Sequence, residues 1–327
     1  MPASITPRTS TDREATAPDT VPVTLGSHTV EVPKGGLYDR FRMDPDLDAI
    51  ATDPRVPGVE FFRRLPKTRV DSPIGPTLTP NFYYLASTAR LVFLARSSAI
   101  RAQLPTELAP LEVAPGIGLA FLMFFRYDVC DIDFYTEAAV GAVVRPARHG
   151  GPGIADLASG LGDNHLHAYV TGLPVNTEIA QIRGHDGYGF PKWVTDIDVD
   201  ITDRRVAARV ANSSGGTDIA LSAPTPRQRR HASGDKVSSL TSYTTMDGDW
   251  HSTLSQTNVL SSGGRVLPRG IDLQLGTGRL SDDLRALKTI RAVQFEVSTE
   301  SQIALHMPAP ISVAEPATAG TPAQAAR

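Results

Sequence analysis

Short hydrophobic segments separated by turn residues run along most of the chain. Four of them are rich in branched and aromatic residues at strand length: residues 82–95, 118–127, 136–144 and 165–171. Hydrophobic and acidic residues then alternate strictly over residues 194–201, which predicts a strand with one solvated face. Further strands are predicted at residues 206–210, 218–221, 240–246, 254–260, 271–275 and 292–305.

Signals for helices are few. One helix is predicted over residues 98–104, where Pro105 ends it, and a second over 177–185 with Asn176 as its N-cap. A third is predicted over 281–288 with Ser281 as its cap. Many short antiparallel strands and few helices predict an α+β, predominantly antiparallel β fold: a closed or nearly closed β-barrel with a few short helices and an internal cavity.

Composition divides the chain into four parts. Residues 1–20 and 308–327 are poor in large apolar side chains and rich in Ala, Pro and Thr, which predicts two disordered tails. Residues 21–80 are interrupted by many prolines and predict an extension packed on the core, with a hairpin at 23–32. The barrel domain is predicted over residues 81–307.

Charge and hydropathy exclude several classes of partner. A net charge of −3 and a pI near 6.2 provide no basic field for nucleic acid. No apolar run approaches the roughly 20 residues that a membrane helix needs. The first twenty residues lack the apolar central region of a secretory signal, so a cytoplasmic location is expected.

The best candidate for chemistry is Lys192, at the end of the segment GHDGYGFPK over residues 184–192. A lysine amine attacks a ketone only when it is neutral, and apolar neighbours such as Phe190 and Trp193 disfavour the charged ammonium form. Lysine is also scarce, because the 32 basic residues include only Lys34, Lys67, Lys192, Lys236 and Lys288.

Three segments resemble motifs of the acetoacetate decarboxylase-like family, whose members are Schiff-base-forming lyases. The tripeptide Gly184-His185-Asp186 and the tetrapeptide Gly189-Phe190-Pro191-Lys192 are similar to its Gly-Arg-Glu and aromatic-Pro-Lys signature. LPTEL at residues 104–108 resembles its Pro-Glu-Pro-Leu turn, and FYTE at 134–137 resembles its Tyr-Thr-Glu strand. The resemblance covers about residues 83–199 and implies a barrel with a lysine projecting into an internal cavity.

The resemblance also implies roles for single residues. Lys192 would form an imine with a small or medium 2-oxo or 3-oxo acid, and Glu137 would be the general acid and base. Arg90 is the nearest candidate for binding the substrate carboxylate. No cofactor is expected, and the chain is expected to form a homo-oligomer. The other predicted pocket residues are Tyr135, Phe190, Trp193, His185 and Arg183.

Two positions depart from the family pattern. Trp193 follows the nucleophile where the decarboxylases commonly have a second lysine, and Leu122 stands where their second glutamate would be. These departures fit aldol, dehydration or cyclisation chemistry of secondary metabolism better than simple acetoacetate decarboxylation. They also leave open an inactive ligand-binding or assembly protein on the same barrel.

A third alternative rests on His165 and His167, which share one face of a predicted strand. Such a pair can bind a metal, but a third ligand is not evident in the sequence. The sequence therefore predicts no metal site here.

Overall fold

The computed structural model describes residues 19–147 and 153–312, most of them in strands. Most of the two predicted disordered tails lies outside these residues, and the described parts, 19–20 and 308–312, include residues in strands, Thr20 and Ala309–Pro310. The extension begins with a hairpin and continues through three short helices and a second strand pair. Its elements are β1 (Thr20–Leu25), β2 (His28–Pro33), α1 (Leu37–Phe41), α2 (Leu47–Ala51), α3 (Glu60–Arg63), β3 (Thr68–Val70) and β4 (Thr77–Thr79).

The remaining elements follow the predicted pattern of long strands and short helices. The first half contains β5 (Asn81–Arg96), α4 (Ser97–Gln103), β6 (Leu108–Pro110), β7 (Glu112–Ala114), β8 (Ile117–Cys130), β9 (Tyr135–Pro146), α5 (Gly153–Gly162), β10 (His165–Gly172) and α6 (Glu178–His185). The second half contains β11 (Ile197–Ile201), β12 (Arg205–Ala211), β13 (Thr217–Pro224), β14 (Arg229–Arg230), β15 (Val237–Met246), β16 (Asp249–Val266), β17 (Asp272–Leu275), α7 (Arg279–Ala286), β18 (Thr289–Leu305) and β19 (Ala309–Pro310).

Seven strands close into a barrel, which confirms the predicted fold class. Their order is β9, β10, β15, β16, β18, β5 and β8, and β8 pairs with β9 to complete the ring. Neighbours are antiparallel except β10 and β15, which run parallel. A four-stranded sheet of β11, β12, β13 and β17 lies outside the ring.

Alternate residues of the wall face opposite sides, so each strand contributes to two cores. The outward residues Leu122 and Phe124 of β8 belong to the large core that also contains residues of β11, β12, β13 and α7. The inward residue Phe121 packs in a second cluster with Tyr188 and Phe190, which follow α6. The barrel interior is therefore filled partly by the segment that leads to Lys192.

Both predicted N-caps are wrong. The N-cap residue of α6 is Thr177, and its side chain makes no capping hydrogen bond. The side chain of Asn176 does not cap the helix either, because it accepts a hydrogen bond from the Thr136 N–H. α7 begins at Arg279 rather than at Ser281. Asp218 of β13 accepts hydrogen bonds from the first N–H groups of that helix, so the cap comes from a residue distant in sequence. No helix in the described ranges is long and apolar enough to cross a bilayer.

Candidate functional site

A tight turn after α6 brings Lys192 back against the helix. The N–H of Phe190 donates to the Gly184 carbonyl at 2.9 Å, and the N–H of Gly189 donates to the His185 carbonyl at 2.9 Å. Gly189 has a φ of +70°, a left-handed conformation that glycine adopts without strain. The lysine side chain then passes directly over Gly184. A Cβ at that position would overlap its Cδ and Cε atoms and lie 3.0 Å from Nζ.

For the imine chemistry that the sequence predicts at Lys192, we expect Gly184→Ala to slow covalent capture of a keto acid by roughly tenfold to a hundredfold, because a displacement of about 1 Å at a reacting group costs that much. The added methyl group would push the lysine away from its present position without changing its chemistry. The rate of borohydride-trapped adduct formation measures the effect. Gly162→Ala, at the exposed end of α5 where a Cβ meets nothing within 4 Å, is the control for a glycine-to-alanine change as such. An unchanged capture rate in folded Gly184→Ala would contradict the prediction.

Lys192 and Glu137 form a buried ion pair. Nζ of Lys192 donates to Oε2 of Glu137 at 2.5 Å, and each side chain is only 8% exposed. The hydroxyl of Tyr127 donates to the other oxygen, Oε1, at 3.1 Å. The carboxylate is thus oriented by one phenol and one amine, and it can exchange a proton with the amine directly.

Strand register explains why Glu137 faces the lysine. β8 pairs with β9 so that Phe125 lies opposite Glu137 and Tyr127 lies opposite Tyr135. A single residue, Val175, bridges Glu137 on one side and Val194 on the other. The segment that follows Lys192 is therefore joined to β9 through Val175, and this backbone network determines the separation of the two side chains.

Three tyrosines enclose the ion pair. Nζ of Lys192 lies 5.7 Å from the Tyr135 ring centroid, and the hydroxyl groups of Tyr135 and Tyr83 are 3.0 Å apart. The rings of Tyr83 and Tyr127 are 4.4 Å apart. Burial raises the pKa of all three phenols well above the usual value, and the charge of Glu137 contributes in the same direction. They are neutral hydrogen-bonding groups at physiological pH.

Arg90 lies on the inner face of the barrel but is already paired. It is opposite Met123, which packs in the interior cluster. Its Nη2 donates to Oε2 of Glu296 at 2.5 Å. Glu296 is a second inward carboxylate that the sequence did not indicate. Leu122, at the position of the missing glutamate, is buried on the opposite face of the wall.

Three more of the predicted pocket residues lie in different surroundings. Phe190 is buried and stacks on Tyr188, with ring centroids 6.0 Å apart. His185 is exposed, and its Nδ1 hydrogen-bonds with Asp186 at 2.6 Å, so it lies at the surface. Arg183 is buried, and its Nη1 donates to Oγ1 of Thr77 at 3.4 Å.

The Trp193 ring lies against α7. The guanidinium of Arg279 stacks over it at 4.1 Å. Close by, Oδ2 of Asp283 is buried and has no hydrogen-bond partner in the described part of the chain. Burial raises the pKa of Asp283 from 3.8 to about 6, and Arg279 opposes the shift.

We expect Asp283→Asn to stabilise the fold at neutral pH by about 1 kcal/mol, because the ionised carboxylate of this half-buried residue is costly and the neutral amide is not. Because the folded protein raises this pKa, the wild type loses stability as pH rises from about 4 through 6, and the amide does not. The difference in free energy of unfolding should therefore vanish below about pH 4. Urea titrations from pH 4 to 8 measure it. Asp282→Asn, on the exposed side of α7, is the control and should show no gain in free energy of unfolding. If Asp283→Asn were equally stabilising at every pH, the raised pKa of Asp283 would not be the cause.

An open groove of about 570 Å³ lies on the outer sheet, lined by residues that include Arg126, Phe134, Thr136 and Asn176. Thr136 and Glu137 are successive residues of β9 and point to opposite faces. The groove and the Lys192 pair are therefore separated by the barrel wall.

His165 and His167 stack on each other with ring centroids 4.9 Å apart. Their ring nitrogens hydrogen-bond with Thr241 at 2.8 Å and with Tyr243 at 2.9 Å. Among residues 19–147 and 153–312, no group of three or more His, Cys, Asp or Glu side chains is arranged to hold a metal ion. These two histidines are thus engaged with hydroxyl groups.

Sequence reasoning missed Tyr83 and Tyr127. A signal existed for Tyr127, because a hairpin with its turn near residues 131–134 places residue 127 opposite residue 135. Tyr83 has no comparable local signal. It reaches the site through the pairing of β5 with β8.

Comparison with known proteins agrees with this architecture. The family model described as acetoacetate decarboxylase matches residues 69–300. The solved structure of the enduracididine biosynthesis enzyme MppR complexed with pyruvate is 15% identical, with a TM-score of 0.51, covering 72% of this chain and 92% of that one. An acetoacetate decarboxylase from Legionella pneumophila is 13% identical, with a TM-score of 0.50, covering 81% of this chain and 95% of that one. No curated protein sequence gives a significant match.

Proposed function

Because the chain belongs to the acetoacetate decarboxylase family, we propose that it is a lyase that forms a Schiff base between Lys192 and a small or medium keto acid. The observation that carries the proposal is the buried contact between Nζ of Lys192 and Oε2 of Glu137. A nucleophilic amine beside a proton acceptor is the arrangement that imine chemistry needs. No cofactor is required for it, and we propose that none is used.

The chemistry begins with proton transfer from the Lys192 ammonium to Glu137. The neutral amine attacks the ketone carbon, and the carbinolamine loses water to give a protonated imine. The imine withdraws the electron pair released when an adjacent carbon loses carbon dioxide or a proton, which leaves an enamine. Glu137 then returns a proton to that carbon, and water hydrolyses the imine to free the product and the amine.

Side chains around the pair favour reactions in which the enamine is used further. The inner face of β8 supplies the apolar residues Met123 and Phe125, and the second inward carboxylate, Glu296 of β18, is bound to Arg90. A related structure of MppR holds the condensation product of pyruvate and imidazole 4-carboxaldehyde, with a TM-score of 0.50 and 15% identity. We propose aldol condensation, dehydration or cyclisation of a keto acid as the reaction class, with decarboxylation as the alternative.

Borohydride trapping with a panel of 2-oxo and 3-oxo acids at neutral pH tests the proposal. The expected result is a gain in intact mass equal to the reduced adduct. Peptide mapping should place that adduct on Lys192. The other four lysines of the chain, including the exposed Lys34, are internal controls and should remain unmodified. A folded protein that forms no adduct with any keto acid would favour a ligand-binding or assembly protein on the same barrel.

A further inference from the structure

The interior of the barrel is only partly filled. Phe121 and Val143 of its inner face are buried in the cluster that also contains Tyr188 and Phe190. Other apolar residues of the inner face pack against the same cluster and yet remain only half-buried: Met123, Phe125, Val170, Leu240 and Leu305. A close-packed interior would bury such side chains completely. Their accessible surface therefore lines a space inside the barrel, which we call the inner cavity.

Phe125 joins the inner cavity to the ion pair. It lies directly opposite Glu137 in the β8–β9 pair, and its ring stacks on that of Tyr127 with centroids 5.6 Å apart. Tyr127 in turn donates to Glu137. Met123, two residues earlier on the same face of β8, continues the apolar surface away from the pair. A chain attached to a ketone at Nζ of Lys192 would therefore contact apolar side chains directly beside the reacting groups.

The wall across the barrel from β8 is formed by β15 and β16 and is uncharged at this depth. Leu240 lies opposite Ser255, and Ser242 lies opposite Thr253. Leu240 packs against the interior cluster, so these four residues share the inner face. They provide methyl and hydroxyl groups and no formal charge.

The charges next to the inner cavity are already paired. Arg90, which lies opposite Met123 on β5, donates to Glu296 at 2.5 Å. Glu296 also lies 3.7 Å from Nζ of Lys236. A charged group at the end of a bound chain would have to displace one of these contacts or stay unpaired inside the barrel, and both are costly. An uncharged chain meets no such cost.

We propose that the inner cavity binds an uncharged, aliphatic side chain of the keto acid, so that the substrates are 2-oxo or 3-oxo acids with a longer apolar chain than that of pyruvate. The proposal rests on the proposed function, because the ketone of the same molecule reacts with Lys192. Met123 and Phe125 are the residues expected to determine the preference, since they lie nearest to the reacting groups along β8. Each methylene group that moves from water into the cavity adds binding energy.

A homologous series of 2-oxo acids tests the proposal on the wild type. The second-order rate of borohydride trapping at Lys192 should rise roughly fourfold for each methylene group from pyruvate to 2-oxohexanoate, the effect of removing a methylene group from water. 2-Oxoadipate carries a carboxylate in place of the terminal methyl group of 2-oxohexanoate, and it should be trapped roughly tenfold more slowly or worse. A rate that does not rise along the series would overturn the proposal. Faster trapping of 2-oxoadipate would also overturn it, because Arg90 or Lys236 would then bind the chain end.

Met123→Gln places an amide where the thioether now lines the cavity. The rate for 2-oxohexanoate relative to that for pyruvate should fall by roughly tenfold, because the longer chain then contacts a polar group. Leu161→Gln, at an exposed position of α5, is the matched control and should leave this ratio at its wild-type value. Equal losses for both acids in folded Met123→Gln would overturn the proposal, because Met123 would then support the site in general. If Met123→Gln does not fold, the wild-type comparison of 2-oxohexanoate with 2-oxoadipate decides the question.

Failure of the proposed function gives a different result. No keto acid of the series would then be trapped in the wild type. Calorimetric titration of hexanoate and propanoate still tests the inner cavity in that case. Hexanoate that binds roughly tenfold more tightly than propanoate, with a smaller difference in Met123→Gln, supports the cavity as a site for apolar chains. Equal affinities, or no binding of hexanoate, would overturn it.

Discussion

Replacing Lys192 with alanine is expected to abolish the borohydride-trapped adduct and to reduce turnover of the keto acid on the order of 10⁴-fold or more, as loss of a covalent nucleophile does elsewhere. No other described lysine occupies an equivalent position. Lys67 is buried, but its amine donates to Asp131 and to the Met43 carbonyl. Intact mass after reduction and steady-state turnover are the two measurements.

Alanine also leaves Glu137 buried without its counter-ion, so stability must be measured separately. Lys192→Met fills the space better and should give the same loss of adduct with a smaller change in thermal unfolding temperature. Lys34→Ala, at an exposed position directly after the hairpin, controls for removal of a lysine. Persistence of the adduct in folded Lys192→Met would mean that another amine is the nucleophile.

Glu137→Gln is expected to lower the rate of imine formation by roughly 10²- to 10⁴-fold, the usual contribution of a positioned acid or base. The amide oxygen can still accept from the Tyr127 hydroxyl, as Oε1 of the carboxylate does now. The amide cannot take a proton from the Lys192 ammonium, so water or hydroxide from the solvent must accept that proton. The rate in the variant should therefore rise with pH more steeply than in the wild type.

Single-turnover trapping between pH 6 and 9 measures this dependence. Glu300→Gln removes a carboxylate from the exposed pair with Arg230 and should leave the profile unchanged. Parallel pH profiles for wild type and Glu137→Gln would indicate that Glu137 orients the lysine without transferring its proton.

Most of the barrel was predictable because its strands carry local signals. Runs of branched and aromatic residues at strand length marked β5, β8 and β9 to within a few residues. The helices of the extension were not predicted, because each has only four or five residues. α5 was not predicted although it has ten residues, because Gly153, Gly160 and Gly162 weaken its helical signal. The cap of α7 by Asp218 was unpredictable because 62 residues separate Asp218 from Leu280.

The pairing of Lys192 with Glu137 came from resemblance of motifs and not from any local rule, because 55 residues separate the two. The motif named Gly184 as well, but only the structure reveals that its missing side chain makes room for the lysine. The orientation of the Trp193 side chain could not be predicted from the sequence either, because it depends on where α7 packs.

The ring of strands is closed by its most distant members. β18 pairs with β5, and Arg90 contacts Glu296 across 206 positions of sequence. Such non-local pairing raises contact order and slows folding. During synthesis, Lys192 and Glu137 leave the ribosome well before β18, so the nascent chain carries the proposed nucleophile on an incomplete wall. The barrel around this ion pair is closed only after the last long strand has been made.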